Sequence, residues 1–156
     1  MIMEINIILF FNLLLYAIVA SQSFAYIIAL ANVQKNLQAN TYIEVRKLLD
    51  RNFMKKYTRV VYLALLSTTL LSVLTSVQPD SLLFITSVIA WIALIIDVIL
   101  AVKGNMPINK TINNWNHDNY PANWHEYRTK WFNIYSKRQT INITGFLCLI
   151  VGIVFE

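Results

Sequence analysis

The chain has 156 residues, of which 57% are hydrophobic and only 13% carry a charge. A soluble domain usually has about 25% charged residues, so this composition indicates a protein that is surrounded by lipid. The single cysteine, Cys148, excludes an internal disulfide and a thiolate zinc cage. The formal net charge of +5 does not indicate nucleic-acid binding, because the loops of membrane proteins carry such an excess of cations.

Four apolar stretches are candidates for membrane-spanning helices, since a bilayer core about 30 Å thick needs about 20 apolar residues. They are residues 7–31, 60–77, 81–102 and 139–155, separated by polar loops at 32–59 and 103–138. Between the second and third stretches, Gln78-Pro79-Asp80 forms only a tight turn, so these two helices are antiparallel. Asp80 or Ser81 can cap the helix that follows. We therefore predict a single all-α domain, an integral membrane four-helix bundle.

The basic residues decide the predicted orientation. All 13 Lys and Arg residues fall in the loops 32–59 and 103–138, which lie on the same side of a four-span protein. The positive-inside rule places both loops in the cytoplasm and both termini outside. The chain is therefore predicted to be a multi-pass protein of the cytoplasmic (inner) membrane.

Both polar loops have helical features. The capping-box pattern Thr41-Tyr42-Ile43-Glu44 predicts the start of an interfacial helix that leads into the second span. In the other loop, Gly104 is expected to end the third helix, with a bend at residues 105–109. Pro121 suits the first turn of a new helix. That helix then continues to Phe155, so the last span is predicted to begin as a long cytoplasmic extension.

Aromatic and basic residues share one face of this last helix at spacings of four or three: Trp124, Arg128, Trp131, Tyr135, Arg138 and Asn142. The stripe climbs roughly 20 Å along the helix, whereas an interfacial aromatic belt marks a single depth. Arginines on a packed aromatic face need carboxylates, carbonyls or a bound anion as partners. The stripe is either a structural spine that closes the bundle or the wall of a ligand site.

Asp97 is the one acid inside a predicted span, where ionisable groups are costly and usually face protein or a water-filled cavity. One hypothesis is a polar pocket roofed by aromatic residues. In it, Asp97, Gln22, Asn142 and Arg138 meet beneath Trp124, Trp131 and Tyr135. The alternative is that Asp97 pairs with Lys103 or Arg138 and locks the helices together.

The two histidines, His117 and His125, both lie in the second polar loop. Their spacing gives no i, i+4 pair on a helix, and the HExxH pattern of zinc proteases is absent. We therefore expect solvated histidines, with no metal site and no cofactor.

The pattern Asn105-x-Pro107-x-Asn109, then Trp124-x-x-x-Arg128-x-x-Trp131 and Arg138 before a last apolar helix, resembles a known family. This is the anthrone oxygenase-like family of small four-helix membrane proteins, and the matching segment runs from about Asn105 to Phe155. The resemblance implies oxygenation of a polycyclic anthrone to a quinone without a metal or flavin, which needs a base and a dry pocket. The family often has a histidine where this chain has Tyr135.

Two main hypotheses of function follow, and both include the lipid bilayer as a partner. In the first, a membrane enzyme acts on a lipophilic small molecule, and Asp97 or Tyr135 handles protons. Its ligand-binding candidates are Gln22, Asn109, Trp124, Arg128, Trp131, Arg138 and Asn142. In the second, a non-catalytic subunit or scaffold binds a membrane protein or another copy of itself through its aromatic-basic loops. A transporter is less favoured, because one intramembrane acid offers little to couple to.

The predicted orientation can be measured directly. A reporter fused at residue 1 or at residue 156 should face the outside, while a reporter inserted in either basic loop should face the cytoplasm. Alkaline phosphatase and green fluorescent protein fusions in parallel give opposite signals for the two sides. A cytoplasmic signal from either terminus would contradict the predicted orientation.

Overall fold

The computed structural model describes residues 2–116 and 119–156, so His117 lies outside the described residues. Within these ranges the fold is all-α, and its only β-pairing is an isolated bridge between Asn116 and Asn119. The four long helices are α1 (Met3–Lys35), α2 (Ala39–Thr75), α3 (Leu82–Asn113) and α4 (Trp124–Phe155). Each is long and apolar enough to cross a membrane, which indicates a multi-pass membrane protein.

Helix α2 begins upstream of the predicted capping box. Its first residue is Ala39, and the preceding Gln38 has an extended backbone and makes no side-chain cap. Thr41 therefore lies inside the helix, and its prediction as the cap is wrong. The reason is tertiary, because Tyr42 and Ile43 are buried in an aromatic layer and their packing holds the first turn without a capping side chain. As predicted, the helix then runs unbroken into the apolar stretch.

The bend predicted at residues 105–109 is also wrong, because α3 continues to Asn113 through a π-helical turn at Ala101–Asn105. In this turn the Met106 N–H donates to the carbonyl of Ala101, five residues back. The changed pairing lets Pro107, which has no N–H, follow without breaking the helix. Gly104 lies inside the helix, where a Cβ would stand 2.8 Å from Cγ2 of Ile134.

At the start of α4 the prediction is displaced by one turn. The helix begins at Trp124 with Asn123 as its N-cap, and Pro121 lies in the preceding turn, where its carbonyl accepts from the Trp124 N–H at 3.0 Å. The cap predicted for α3 is confirmed, because Oγ of Ser81 accepts from the N–H of Phe84 at 3.1 Å.

The helices alternate in direction, and each packs against two antiparallel neighbours: α1 and α3 both lie between α2 and α4. An apolar core fills the bundle and contains Tyr16, Val19, Tyr57, Val61, Ala64, Leu71, Ala90, Leu94 and Leu149. At the end that carries the α1–α2 and α3–α4 connections, an aromatic layer contains Tyr26, Tyr42, Ile43, Ile108, Ile112, Trp115, Trp131 and Phe132. The candidate site lies where this layer meets the apolar core.

Glycines let α4 approach the neighbouring helices closely. A Cβ on Gly152 would collide with Oγ1 of Thr86 and stand 3.3 Å from the Leu83 backbone on α3. A Cβ on Gly145 would collide with Oη of Tyr16 on α1 and stand 2.7 Å from Cβ of Ala93 on α3. Small residues that let helix backbones approach are typical of membrane bundles.

Replacing Gly152 by Ala should therefore destabilise the protein by about 1–3 kcal/mol, the usual range for overpacking. Gly104→Ala is the matched control, because its Cβ would meet only the movable side chain of Ile134. Thermal unfolding in detergent measures both variants. An equal loss in the two would mean that the contact with the α3 backbone does not limit the packing.

Candidate functional site

A buried ion pair joins α3 to α4. Nε of Arg138 donates to Oδ1 of Asp97 at 2.7 Å, and Nη2 donates to Oδ2 at 3.2 Å. Asp97 is 0% exposed and Arg138 is 4% exposed. Two parallel bonds between a guanidinium and a carboxylate fix both side chains in one geometry. Asp97 therefore pairs with Arg138, while Lys103 is exposed.

From Arg138 a chain of hydrogen bonds enters the aromatic layer. Nη1 of Arg138 donates to Oδ1 of Asn105 at 3.3 Å, and Nδ2 of Asn105 donates to the carbonyl of Trp131 at 3.0 Å. The indole Nε1 of Trp131 donates to Oδ1 of Asn109 at 2.9 Å. Each of these residues is at most 6% exposed. The network therefore fixes the orientation of Trp131 from both its backbone and its ring.

A second buried arginine, Arg46 on α2, completes this network. Its Nη2 donates to Oδ1 of Asn109 at 2.9 Å, and its guanidinium lies 3.8 Å from the centroid of the Trp131 ring. The side chain is 6% exposed, and its Nε has no hydrogen-bond partner among the described residues. Arg46 lies outside the apolar stretch 60–77. Burial lowers the pKa of its guanidinium. This site therefore holds a cation with unused hydrogen-bonding capacity.

Aromatic rings surround this network on the side of α1. Tyr135 stacks on Trp131 with ring centroids 4.3 Å apart, and the Tyr26 ring meets Tyr135 edge-on at 4.5 Å. Nε2 of Gln22 donates to the phenol oxygen of Tyr135 at 2.5 Å. Because that oxygen accepts from Gln22, the O–H of Tyr135 remains available to donate to another group.

These residues enclose a cavity of about 190 Å³, here called the aromatic cavity. Its lining consists of Gln22, Ala25, Tyr26, Leu30, Gln34, Arg46, Leu49, Phe53, Met54, Asn105, Met106, Asn109, Trp131, Tyr135 and Arg138. Most of the wall is aromatic or aliphatic, and the polar groups project from all four helices. The exposed apolar side chains Leu30, Phe53 and Met106 form its rim. The combination of an apolar wall with a few convergent polar groups is typical of small-molecule sites.

Five of the predicted site residues line the aromatic cavity, and four do not. Gln22, Asn109, Trp131, Tyr135 and Arg138 belong to the wall. The remaining four, Asp97, Asn142, Trp124 and Arg128, lie outside it. The roofed pocket of the sequence hypothesis is therefore assembled only in part.

Each of the residues outside the wall has its own surroundings. Asp97 lies behind Arg138, and Asn142 is fully buried with neither amide atom hydrogen-bonded to the described residues. Arg128 donates to the carbonyl of Leu37 at 2.9 Å, and its guanidinium lies 4.5 Å from the centroid of the Trp124 ring. Trp124 and Arg128 thus form a separate contact with the first loop.

Sequence reasoning missed several wall residues, above all Arg46. In the sequence Arg46 stands among Lys47, Asp50 and Arg51, which is the pattern of a solvated helix face. Only contacts with residues distant in sequence bury it. Tyr26 and Gln34 lie in or beside an apolar segment and gave no signal either.

Metal-ligating residues do not cluster in the part of the chain that the structure describes. No group of three His, Cys, Asp or Glu side chains is close enough there to hold a metal ion. His125 is exposed, as expected for a solvated histidine.

The comparisons with family models, curated proteins and solved structures returned no match for this chain. Function is therefore argued from the geometry of the cavity.

The ion pair can be tested by removing one charge. Asp97→Asn should destabilise the protein by about 3–5 kcal/mol, because it leaves the Arg138 guanidinium buried without a counter-charge. The double variant Asp97→Asn with Arg138→Gln should lose much less than the sum of the two single variants, since neither buried charge remains. Unfolding in detergent monitors all three. Additive losses would show that the two side chains are not energetically coupled.

Proposed function

We propose that this chain is a multi-pass protein of the cytoplasmic (inner) membrane that binds a lipophilic aromatic small molecule bearing oxygen substituents. The ligand occupies the aromatic cavity. In this proposal both polar loops face the cytoplasm and the termini face outside, as the placement of the cations favours. The cavity then lies near the cytoplasmic surface of the bilayer.

The observation that carries this proposal is a set of buried polar atoms without hydrogen-bond partners among the described residues. Four of them belong to residues that line the cavity: Oε1 of Gln22, Oη of Tyr26, Oε1 of Gln34 and Nε of Arg46. Buried polar groups nearly always have a hydrogen-bond partner, and an unpaired one costs about 1–3 kcal/mol. The set contains donors and acceptors together. A ligand with hydroxyl or carbonyl oxygens on an apolar ring matches both properties.

The size and access of the cavity also support a ring-shaped ligand. Its volume of about 190 Å³ exceeds that of a dry engineered cavity of about 150 Å³ that holds benzene. The rim of Leu30, Phe53 and Met106 is apolar, so a lipophilic molecule can approach from the bilayer. A larger ligand would place one ring in the cavity and extend the remainder past this rim.

The reaction that the family resemblance suggests is oxygenation of an anthrone. The methylene carbon between the two rings loses two hydrogens and gains a carbonyl oxygen from O₂, and the second oxygen leaves as water. A base takes a proton from this carbon, and the negative charge that results is delocalised onto the carbonyl oxygen of the anthrone. Tyr135 and Arg46 both have donors to stabilise that charge within a largely apolar wall.

Of the two candidates for proton handling, Tyr135 is the one on the cavity wall. Asp97 is held by two bonds from Arg138 and lies behind it. In this proposal Asp97 is therefore a positioning residue that orients Arg138, and Tyr135 contacts the ligand.

The alternative is a scaffold whose aromatic-basic loops bind a partner protein. Several of the residues that such a surface would need are used inside this chain: Arg128 bonds to Leu37, Lys47 donates to the carbonyl of Trp115, and Trp131 is 2% exposed. Four of the unpartnered atoms belong to residues that line a cavity between the helices, and all four are buried from solvent. Both observations favour the small-molecule site.

Two matched tyrosine variants test this function. Tyr26→Phe removes an unpartnered hydroxyl from a residue that lines the cavity, while Tyr42→Phe removes an unpartnered, fully buried hydroxyl from a residue that does not line it. Binding of anthrone and of anthracene, which lacks the oxygen, is measured by quenching of tryptophan fluorescence in nanodiscs. Tyr26→Phe should weaken anthrone binding about 2–10-fold, the value of one hydrogen bond. Tyr42→Phe should leave the affinity for anthrone unchanged. Neither variant should change the affinity for anthracene.

Oxygen-dependent formation of anthraquinone, followed by its absorbance, separates binding from catalysis. Equal binding of anthrone and anthracene in all variants would contradict recognition of oxygen substituents. If neither anthrone nor anthracene binds, the small-molecule site itself is contradicted. Tight anthrone binding without quinone formation would retain the site and reject the oxygenase activity.

A further inference from the structure

A second concave surface lies between α2 and α3, on the outside of the bundle. It is an open groove of about 1020 Å³ lined by Asp50, Met54, Lys55, Thr58, Arg59, Tyr62, Val102, Met106, Pro107, Asn109, Lys110, Asn113 and Asn114. We call it the α2–α3 groove. None of the unpartnered atoms that carry the proposed function belongs to its lining.

Hydrogen bonds tie α2 to α3 beside the groove and again farther along the two helices. At one end the Asp50 carboxylate accepts from Nδ2 of Asn109 at 3.2 Å and from Nδ2 of Asn113 at 2.7 Å. Farther along the helices, beyond Tyr62 and Val102, Nε1 of Trp91 donates to Oγ1 of Thr69 at 2.9 Å. Between these two ties the helices leave an open space. The Asp50 contacts thus fix the distance between the two helices at one end of the groove.

Each helix presents one stripe to this space. On α2 the stripe is Lys55, Arg59 and Tyr62, and on α3 it is Val102, Met106 and Lys110, all at spacings of three or four residues. Because the helices are antiparallel, the stripes match in depth. Lys55 and Lys110 stand at the end near the Asp50 tie, while Tyr62 and Val102 stand at the end toward the apolar stretches.

The charge in the groove is positive. Lys55, Arg59 and Lys110 are all exposed. The one acid in the lining, Asp50, already accepts bonds on both of its oxygens from the two asparagine amides. Three cations therefore remain to attract an anion, and the Tyr62, Val102 and Met106 side chains below them are at least half exposed and apolar.

The groove also lies at the boundary between polar and apolar sequence. Arg59 directly precedes the apolar stretch 60–77, and Val102 ends the stretch 81–102. A membrane lipid has its phosphate at this boundary and its acyl chains below it. Cationic side chains close to a membrane surface attract anionic lipids, and basic pockets between membrane helices bind such head groups.

We propose that the α2–α3 groove binds one anionic glycerophospholipid, with its phosphate against Lys55, Arg59 and Lys110 and an acyl chain along Tyr62, Val102 and Met106. The cations supply selectivity for the head group, and the apolar end supplies the requirement for a chain. The groove shares Met54, Met106 and Asn109 with the wall of the aromatic cavity. A bound lipid therefore lies against the outer side of that wall.

The test is a titration of delipidated full-length protein in neutral detergent, read by native mass spectrometry. The probes are a phosphatidylglycerol, a phosphatidylcholine with identical chains, and glycerol 3-phosphate. The variant Lys55→Gln/Arg59→Gln/Lys110→Gln is compared with Lys56→Gln/Lys103→Gln/Lys137→Gln. The second variant removes the same charge from exposed positions outside the groove.

One phosphatidylglycerol should bind per chain, in preference to phosphatidylcholine, and the groove variant should bind it about 100-fold more weakly. The control variant should bind it like the wild type. Val102→Trp, which fills the apolar end at a half-exposed position, should also weaken binding. Equal binding of the two lipids, or an equal loss in both triple variants, would overturn the proposal. Saturation by glycerol 3-phosphate alone, with no effect of Val102→Trp, would instead indicate a free-phosphate site and equally overturn it.

Discussion

The ion pair between Asp97 and Arg138 is the interaction on which the rest of the site depends. Removing two charges from water is expensive, and their attraction compensates only when the geometry is good and the remaining donors are satisfied. Here two guanidinium nitrogens face two carboxylate oxygens, and a third bonds to Asn105. Because Asp97 belongs to α3 and Arg138 to α4, the pair fixes the rotation of one helix against the other. It does so at the boundary between the apolar core and the aromatic layer.

The network of hydrogen bonds that begins at this pair reaches as far as Arg46. Asn105 holds the Trp131 backbone, Trp131 bonds through its ring to Asn109, and Asn109 accepts from Arg46. The carboxylate nearest to this end of the network, Asp50, bonds to the amide of Asn109 and forms no ion pair with Arg46 among the described residues. Of the two arginines at the cavity wall, Arg138 pairs with a carboxylate, and Arg46 has no such partner among the described residues. This excess of positive charge supports the proposal of a ligand with electron-rich oxygens over a purely hydrocarbon one.

The sequence predicts the number of helices, the tight turn with its Ser81 cap and the aromatic-basic face of α4, because these depend on composition and on a 3.6-residue period. The π-helical turns were not predictable in this way, since one extra residue in a long apolar helix leaves its period almost unchanged. The sequence around Pro107 therefore predicts a bend, although the helix continues through it. The burial of Arg46 escaped prediction for a different reason. Its sequence neighbours are polar, and the Trp131 ring that covers it comes from the last helix. The sequence allows Asp97 to pair with either Lys103 or Arg138. The helical register of α4 places Arg138 against it.

The three π-helical turns explain why a cavity exists at this level of the bundle. They span Tyr26–Leu30, Asp50–Met54 and Ala101–Asn105, one in each of the first three helices, and each contributes residues to the wall. A π-turn widens its helix and rotates the following residues against the neighbouring helices, so side chains there cannot continue the regular packing of the apolar core. The space is therefore built into the backbone, and filling it with a larger side chain would have to work against three helices at once. Because the α2–α3 groove begins at the same turns and shares Met54 and Met106 with the cavity, a change in either space acts on a common wall.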